Sequence, residues 1–218
     1  MGKYSLLVFD WDGTLLDSKA QIVNCMQSAI KDLDLESRSN DEIVSVIGLG
    51  LEKALVQLYP MMDMELITKA AQTYREHYLY KDKTPSPIFD GTEDVLKKLR
   101  EGGYDLAIAT NKSRRGLDKG LLETGLNDYF PITRTADDAH PKPHPQMLEE
   151  ILTDHNTTAS KALMIGDSEY DLQLANNTKV DGLAVSYGVH GLMRLLKQDP
   201  VGFIDKIGQL PDWLDNHG

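Results

Sequence analysis

Cysteine is almost absent from this chain: Cys25 stands alone, so no internal disulfide can form. Ile22, Met26 and Ile30 share its helical face, which makes it a packing residue. No apolar run approaches the roughly twenty residues needed to cross a bilayer. The N-terminus lacks the charged, apolar and small-residue order of a secretory signal, and Leu6 stands where a myristoylation motif needs Ser or Thr. The expected setting is the cytoplasm, with no membrane partner. Positive charge is also scarce, 23 Lys and Arg against 34 Asp and Glu, for a net charge of −11. Nucleic-acid binding relies on many basic side chains neutralising phosphates together, so nucleic acid is not an expected partner. Fixed-period repeats, low-complexity tracts and heptad runs are missing too, which excludes solenoids and fibres.

What is present suits a folded enzyme or binding module. Hydrophobic residues make up 41% and charged residues 26%, near the average for globular proteins, so disorder is not expected. Four short apolar runs, Leu6 to Phe9, Leu106 to Ala109, Leu163 to Ile165 and Leu183 to Val185, read as strands buried on both faces. Helical patterns lie between several of them. That alternation predicts an α/β fold, a doubly wound (Rossmann-like) parallel sheet whose ligands bind at the strand C-termini.

Between the first two runs, a stretch from about Asp17 to Pro87 shows only helical spacing, as at Ala54, Leu55, Leu58 and Tyr59. It predicts an inserted small α-helical cap domain over 17–87, with the core in 1–16 and 88–218. Thr84-Pro85-Ser86-Pro87 ends the insertion, because successive prolines remove N–H donors and restrict their predecessors, and with Asp17 and Ser18 it makes a candidate hinge. Helices are expected at Gly91 to Arg100, Ser113 to Glu123, Pro145 to Leu152, Tyr170 to Asn176 and Val201 to Ile207.

Chemistry concentrates at the predicted strand ends. Asp10-Trp11-Asp12-Gly13-Thr14 puts two carboxylates two residues apart directly after the first run. An EF-hand counted from Asp10 fails, since Leu15 falls where glycine is required and Gln21 where the bidentate glutamate belongs. Thr110 and Asn111 follow the second run and offer a hydroxyl, an amide and N–H groups suited to phosphate oxygens or to a helix cap. Lys142 lies in Pro141-Lys142-Pro143-His144-Pro145, where prolines limit its reach. Asp167 and Asp171 flank Ser168-Glu169-Tyr170 after the third run, with Asp167 placed for a hard cation.

Together these four segments resemble the ordered motifs of the haloacid dehalogenase-like phosphohydrolases, over nearly the whole chain. The helical insertion after the first motif resembles the subgroup that includes phosphoglycolate phosphatases. The resemblance implies a small phosphorylated metabolite as substrate and Asp10 as nucleophile, forming an aspartyl phosphate that water then hydrolyses. It implies Asp12 as acid and then base, and Mg2+ held by Asp10, Asp12, whose backbone carbonyl can serve, and Asp167. Thr110, Asn111 and Lys142 would bind the phosphoryl oxygens. Asp171 would orient Lys142, and Ser168 would support the site.

Other chemistries fit less well. The dehalogenating enzymes lack the second aspartate, and phosphonatases carry alanine where Asp12 stands, so Lys53 reads as a solvated helix residue. Gly48 and Gly50 fail as a dinucleotide fingerprint because Lys53 replaces the third glycine, and they read instead as shaping a cap turn. Sugar phosphomutase, pyrophosphatase and a non-catalytic phosphate-binding role remain open. Phosphoglycolate is the leading substrate expectation. Arg114, Arg115 and His144 read as ordinary surface residues near the site.

Overall fold

The computed structural model describes residues 2–217. Its strands are β1 (Leu6–Phe9), β2 (Asp105–Ala109), β3 (Ile132–Arg134), β4 (Ala162–Gly166), β5 (Asp181–Val185) and β6 (Gly202–Ile204). They form one parallel sheet in the order β3-β2-β1-β4-β5-β6. The chain therefore winds outward from β1 in one direction and from β4 in the other. Where that order reverses, the loops after adjacent strands part and open a crevice at the strand C-termini.

The sequence expectation of a helix over Val201 to Ile207 is corrected: Gly202–Ile204 is a strand. Val201 N–H donates to Gly182 C=O at 2.9 Å and Ser186 N–H to Ile204 C=O at 3.0 Å, so the open edge of β5 supplies the backbone bonds. A glycine between β-branched and aromatic neighbours gives a helix little to compete with.

Between β1 and β2 the chain forms α1 (Lys19–Asp32), α2 (Asn40–Ser45), α3 (Leu51–Leu58) and α4 (Met64–Glu76), followed by a π-helical turn at His77–Lys81. Ser39 starts α2 with a capping box to Glu42, and Asp63 caps α4 by accepting from Leu66 N–H. Val23, Met26, Ile30, Ile43, Leu55 and Ile67 bury one another in a cluster of their own, and Cys25 is buried on α1. The outgoing and returning segments lie side by side: Leu16 bridges Ile88 in antiparallel fashion, Asp17 N–H donates to Pro87 C=O at 2.8 Å, and Phe89 N–H to Leu15 C=O at 3.0 Å. An inserted small helical cap thus stands on a two-stranded stem.

The remaining helices are α5 (Thr92–Glu101), α6 (Arg114–Thr124), α7 (Gln146–Asp154), α8 (Glu169–Thr178), the short α9 (Leu192–Leu195) and α10 (Leu210–His217). Strand alternation divides them between the two faces. Leu7, Phe9, Ile108 and Ile165 pack with Leu96, Leu117 and Leu210, from α5, α6 and α10. Leu6, Val8, Ala107 and Met164 pack with Leu148 and Leu174, from α7 and α8. Among the described residues no helix is long and apolar enough to cross a membrane.

Candidate active site

The turn after β1 is held tightly. Asp10 N–H still bonds Ile165 C=O at 2.9 Å, continuing the sheet, and then Leu15 and Leu16 N–H both return to Trp11 C=O at 3.0 Å. Trp11 is fully buried, and Gly120 of α6 makes room for it, since a Cβ there would stand 3.1 Å from the indole. Gly13 has φ +82°, and a Cβ on it would collide with the Asp167 carboxylate, so two constraints demand glycine. Thr14 Oγ1 donates to Asp167 Oδ1 at 2.9 Å, and Tyr187 OH donates to Thr14 C=O at 2.9 Å. The first acidic turn is thereby fastened to the loops after β4 and β5.

The loops after β2, β3, β4 and β5 bring the other groups in. Val189 N–H donates to Asp167 Oδ2 at 2.8 Å. Lys142 Nζ lies 2.6 Å from Asp171 Oδ1 and 2.9 Å from Asp10 Oδ1, with all three side chains buried. Ser168 donates to Asp171 Oδ2 through both N–H (2.9 Å) and Oγ (2.7 Å), so Asp171 has both oxygens engaged. Asn111 Oδ1 accepts from Lys142 N–H at 2.8 Å, and Asn111 Nδ2 donates to Gly48 C=O at 2.8 Å. Thr110 is buried beside it. Apart from the Asp12 carboxylate, the residues expected from sequence gather at the C-terminal ends of β1, β2 and β4, with Lys142 reaching in from the loop after β3.

The charge balance of this cluster is unfavourable as it stands. Oxygens of Asp10, Asp167 and Asp171 lie within 4.8 Å of one another, and Lys142 is the one ammonium that touches them among the described residues. Burial, then the charge of Asp171, pushes Asp10 up to about 7 despite the opposing pull of Lys142. Burial, then Asp10, raises Asp167 well above the usual carboxylate range. Burial lowers Lys142, but Asp10 and Asp171 outweigh it and hold the ammonium above its usual value. Asp10 Oδ1 is buried without a well-directed hydrogen bond, although Lys142 stands beside it. An oxygen-only cluster with an excess of buried negative charge fits a hard divalent cation. Asp171 is paired with the Lys142 ammonium and bonded twice by Ser168, whereas each Asp167 oxygen accepts one neutral hydrogen bond and keeps a lone pair, so Asp10 and Asp167 are the carboxylates more open to it.

Asp12 departs from the cluster. Its carboxylate pairs with Lys112, Nζ lying 2.9 Å from Oδ1 and 2.8 Å from Oδ2, and it is not among the three carboxylates that gather within 4.8 Å. Lys112 escaped sequence reasoning; its only signal was its place two residues after Thr110, on a loop already marked as functional. Arg114 pairs with Asp138 and Thr133, Arg115 meets Tyr80 OH, and the His144 ring lies 4.6 Å from that of His140. None of these three points to the carboxylates.

A cavity of about 270 Å³ joins the acidic turn to the cap. Asp10, Asp12, Thr110, Asn111 and Lys112 form its floor, while Ile22, Leu49, Leu51, Tyr74 and Leu79 supply much of the opposite wall. Gly48 sits between the two with φ +97°; a Cβ there would stand 2.8 Å from Ser168, so glycine lets the cap turn rest on the loop after β4.

The sequence profile described as haloacid dehalogenase-like hydrolase matches residues 7–185. The chain is 34% identical over 212 residues to the "Probable phosphatase IndB" of Dickeya dadantii, covering 94% of this chain and 91% of that protein. It is 32% identical over 195 residues to a phosphoglycolate phosphatase of Aliivibrio fischeri, covering 85% and 86%. A pyrophosphatase PpaX of Bacillus cereus is 26% identical over 209 residues, covering 95% of each chain.

Proposed function

This chain belongs to the haloacid dehalogenase-like hydrolase family, and on that footing we propose that it is a magnesium-dependent phosphatase, cleaving a small phosphomonoester by way of a phosphorylated Asp10. The observation that carries the reading is the buried contact of Asp10 with Lys142 at 2.9 Å, backed by Asp171, at the crevice where the sheet order reverses. Three carboxylates this close in a buried site support a functional role over a structural one.

An oxygen of Asp10 attacks phosphorus as the bond to the leaving oxygen breaks, and Asp12 gives that oxygen its proton. Water then attacks the phosphorus of the aspartyl phosphate and yields its proton to Asp12, the Asp10 oxygen departs, and inorganic phosphate is released. Lys142, Thr110 and Asn111 stabilise the transferring oxygens. Asp171 holds Lys142, and Ser168 holds Asp171, so the ammonium is set before substrate arrives. Asp10 and Asp167, with the Asp12 main-chain carbonyl, would hold Mg2+, which when bound supplies positive charge that eases the approach of carboxylate to phosphate.

The cap over 17–87 closes on the core of 1–16 and 88–218, turning on the paired segments at Asp17 and Pro87. Its wall selects the leaving group. Phosphoglycolate is the first substrate to test, since it is named for a relative 32% identical, and a cavity of about 270 Å³ suits a compact ester. Pyrophosphate is the second, named for a relative 26% identical over 95% of each chain, and it would need the same nucleophile.

The test is phosphate release from phosphoglycolate, sugar phosphates, nucleotides, 4-nitrophenyl phosphate and pyrophosphate, with Mg2+, with chelator, and with Asp10→Asn. Release that needs both Mg2+ and Asp10 is expected, and its preference names the substrate. Release that survives either loss would overturn the reading.

A further inference from the structure

Lys112 has no part in the mechanism above, yet its side chain is only 7% exposed and its ammonium meets both oxygens of Asp12. An acid on a flexible side chain must point its proton at the leaving oxygen, and a carboxylate in an open cleft can rotate away. Pairing with one shielded cation removes much of that freedom: when one oxygen carries the proton toward the leaving group, the other keeps the contact with Lys112.

The lysine is itself seated from three sides. Its N–H donates to Thr110 Oγ1 at 3.2 Å and its C=O accepts from Ala136 N–H at 3.2 Å, which pins its backbone to the phosphate-binding loop. Gly116 of α6 leaves space for the stem; a Cβ there would stand 3.1 Å from Lys112 Cγ and 3.3 Å from Cε. Tyr78, from the π-helical turn of the cap, covers the ammonium with its ring centre 4.1 Å away, in cation–π geometry. Lys119 of α6 donates to Tyr78 C=O at 3.3 Å and holds that turn down.

We infer that Lys112 is a positioning residue for Asp12, and that Tyr78 seats it, so that the acid is correctly aimed only with the cap in place. The inference rests on Asp12 being the acid of the proposed phosphatase. Lys112 exchanges no proton and forms no bond; it acts through the direction of the Asp12 carboxyl. Leaving groups that are stable as anions depart without protonation, whereas alkoxides do not, so misaiming Asp12 penalises alkyl esters selectively.

The experiment compares kcat/KM, which reports steps through leaving-group departure, for 4-nitrophenyl phosphate and for the alkyl phosphate that the wild type hydrolyses best. Lys112→Met is expected to lower the alkyl value about 10- to 100-fold and the aryl value less than about 3-fold. Lys112→Arg should recover part of the alkyl loss, and Tyr78→Leu should show the same selectivity more weakly. Should Lys112→Met fail to fold, Gly116→Ala and Tyr78→Leu carry the same comparison with the ion pair still present. Equal losses on both esters, or no loss on either, in folded variants would overturn the inference. A wild type without Mg2+- and Asp10-dependent release would instead sink the phosphatase reading on which it rests.

Discussion

Asp10 and Asp167 must both be ionised to ligate a cation, yet burial and neighbouring carboxylates favour their protonated forms. From the usual value of 3.8 up to about 7, folded metal-free protein keeps a proton on Asp10 that the unfolded chain has released. That contribution to stability therefore falls as pH rises through the window. Metal binding displaces the protons, so its affinity rises with pH over the same range. The rise in Tm caused by Mg2+ should be larger by several degrees at pH 8 than at pH 5.5, and Asp10→Asn should narrow the difference. An equal rise at both pH values would contradict the assignment. Residues at strand ends were visible in sequence because an apolar run announces the position that follows it. Lys112 and Tyr187 were not visible, because their partners Asp12 and Thr14 lie 100 and 173 residues away and no local spacing links them.

Among the elements, the turn at Gly48 has little room for change. Its carbonyl accepts from Asn111, and its missing side chain lets it touch Ser168. Gly48→Ala would strain a backbone at φ +97° and push the turn off the core. Its expected effect is a fall in kcat/KM of about tenfold or more, of the size that misplacing a substrate-positioning element produces, with α1 to α4 still folded by circular dichroism. Unchanged kinetics would show that the turn does not shape the site. Strands β1, β2, β4 and β5 were legible as apolar runs because they are buried on both faces. Edge strands β3 and β6, three residues each, were not: such short segments carry no period, and their pairing comes from neighbours distant in sequence. The sequence likewise gave no sign that α4 would pass into a π-helical turn, the element that brings Tyr78 over Lys112.

At the scale of the whole molecule, the helical insertion has its own buried cluster, separate from those on the two faces of the sheet. The insertion was legible as a long helical stretch between two strand runs; the side-by-side stem at Leu16 and Ile88 was not, since it joins segments some seventy residues apart by backbone bonds alone. Ile67→Ala, at a fully buried cap position, should cost about 2–5 kcal/mol locally. Hydrogen exchange is then expected to quicken in α1 to α4 while β1 and β4 stay protected; equal quickening in both would mean that cap and core unfold as one. The central claim is that phosphorus is transferred to Asp10. Its most direct test is to quench the enzyme in acid during turnover with Mg2+, reduce with borohydride, and examine the peptide containing Asp10 by mass spectrometry. Conversion of Asp10 to homoserine, dependent on both substrate and Mg2+, is the predicted result. Steady phosphate release with Asp10 unmodified, and undiminished in Asp10→Asn, would contradict it.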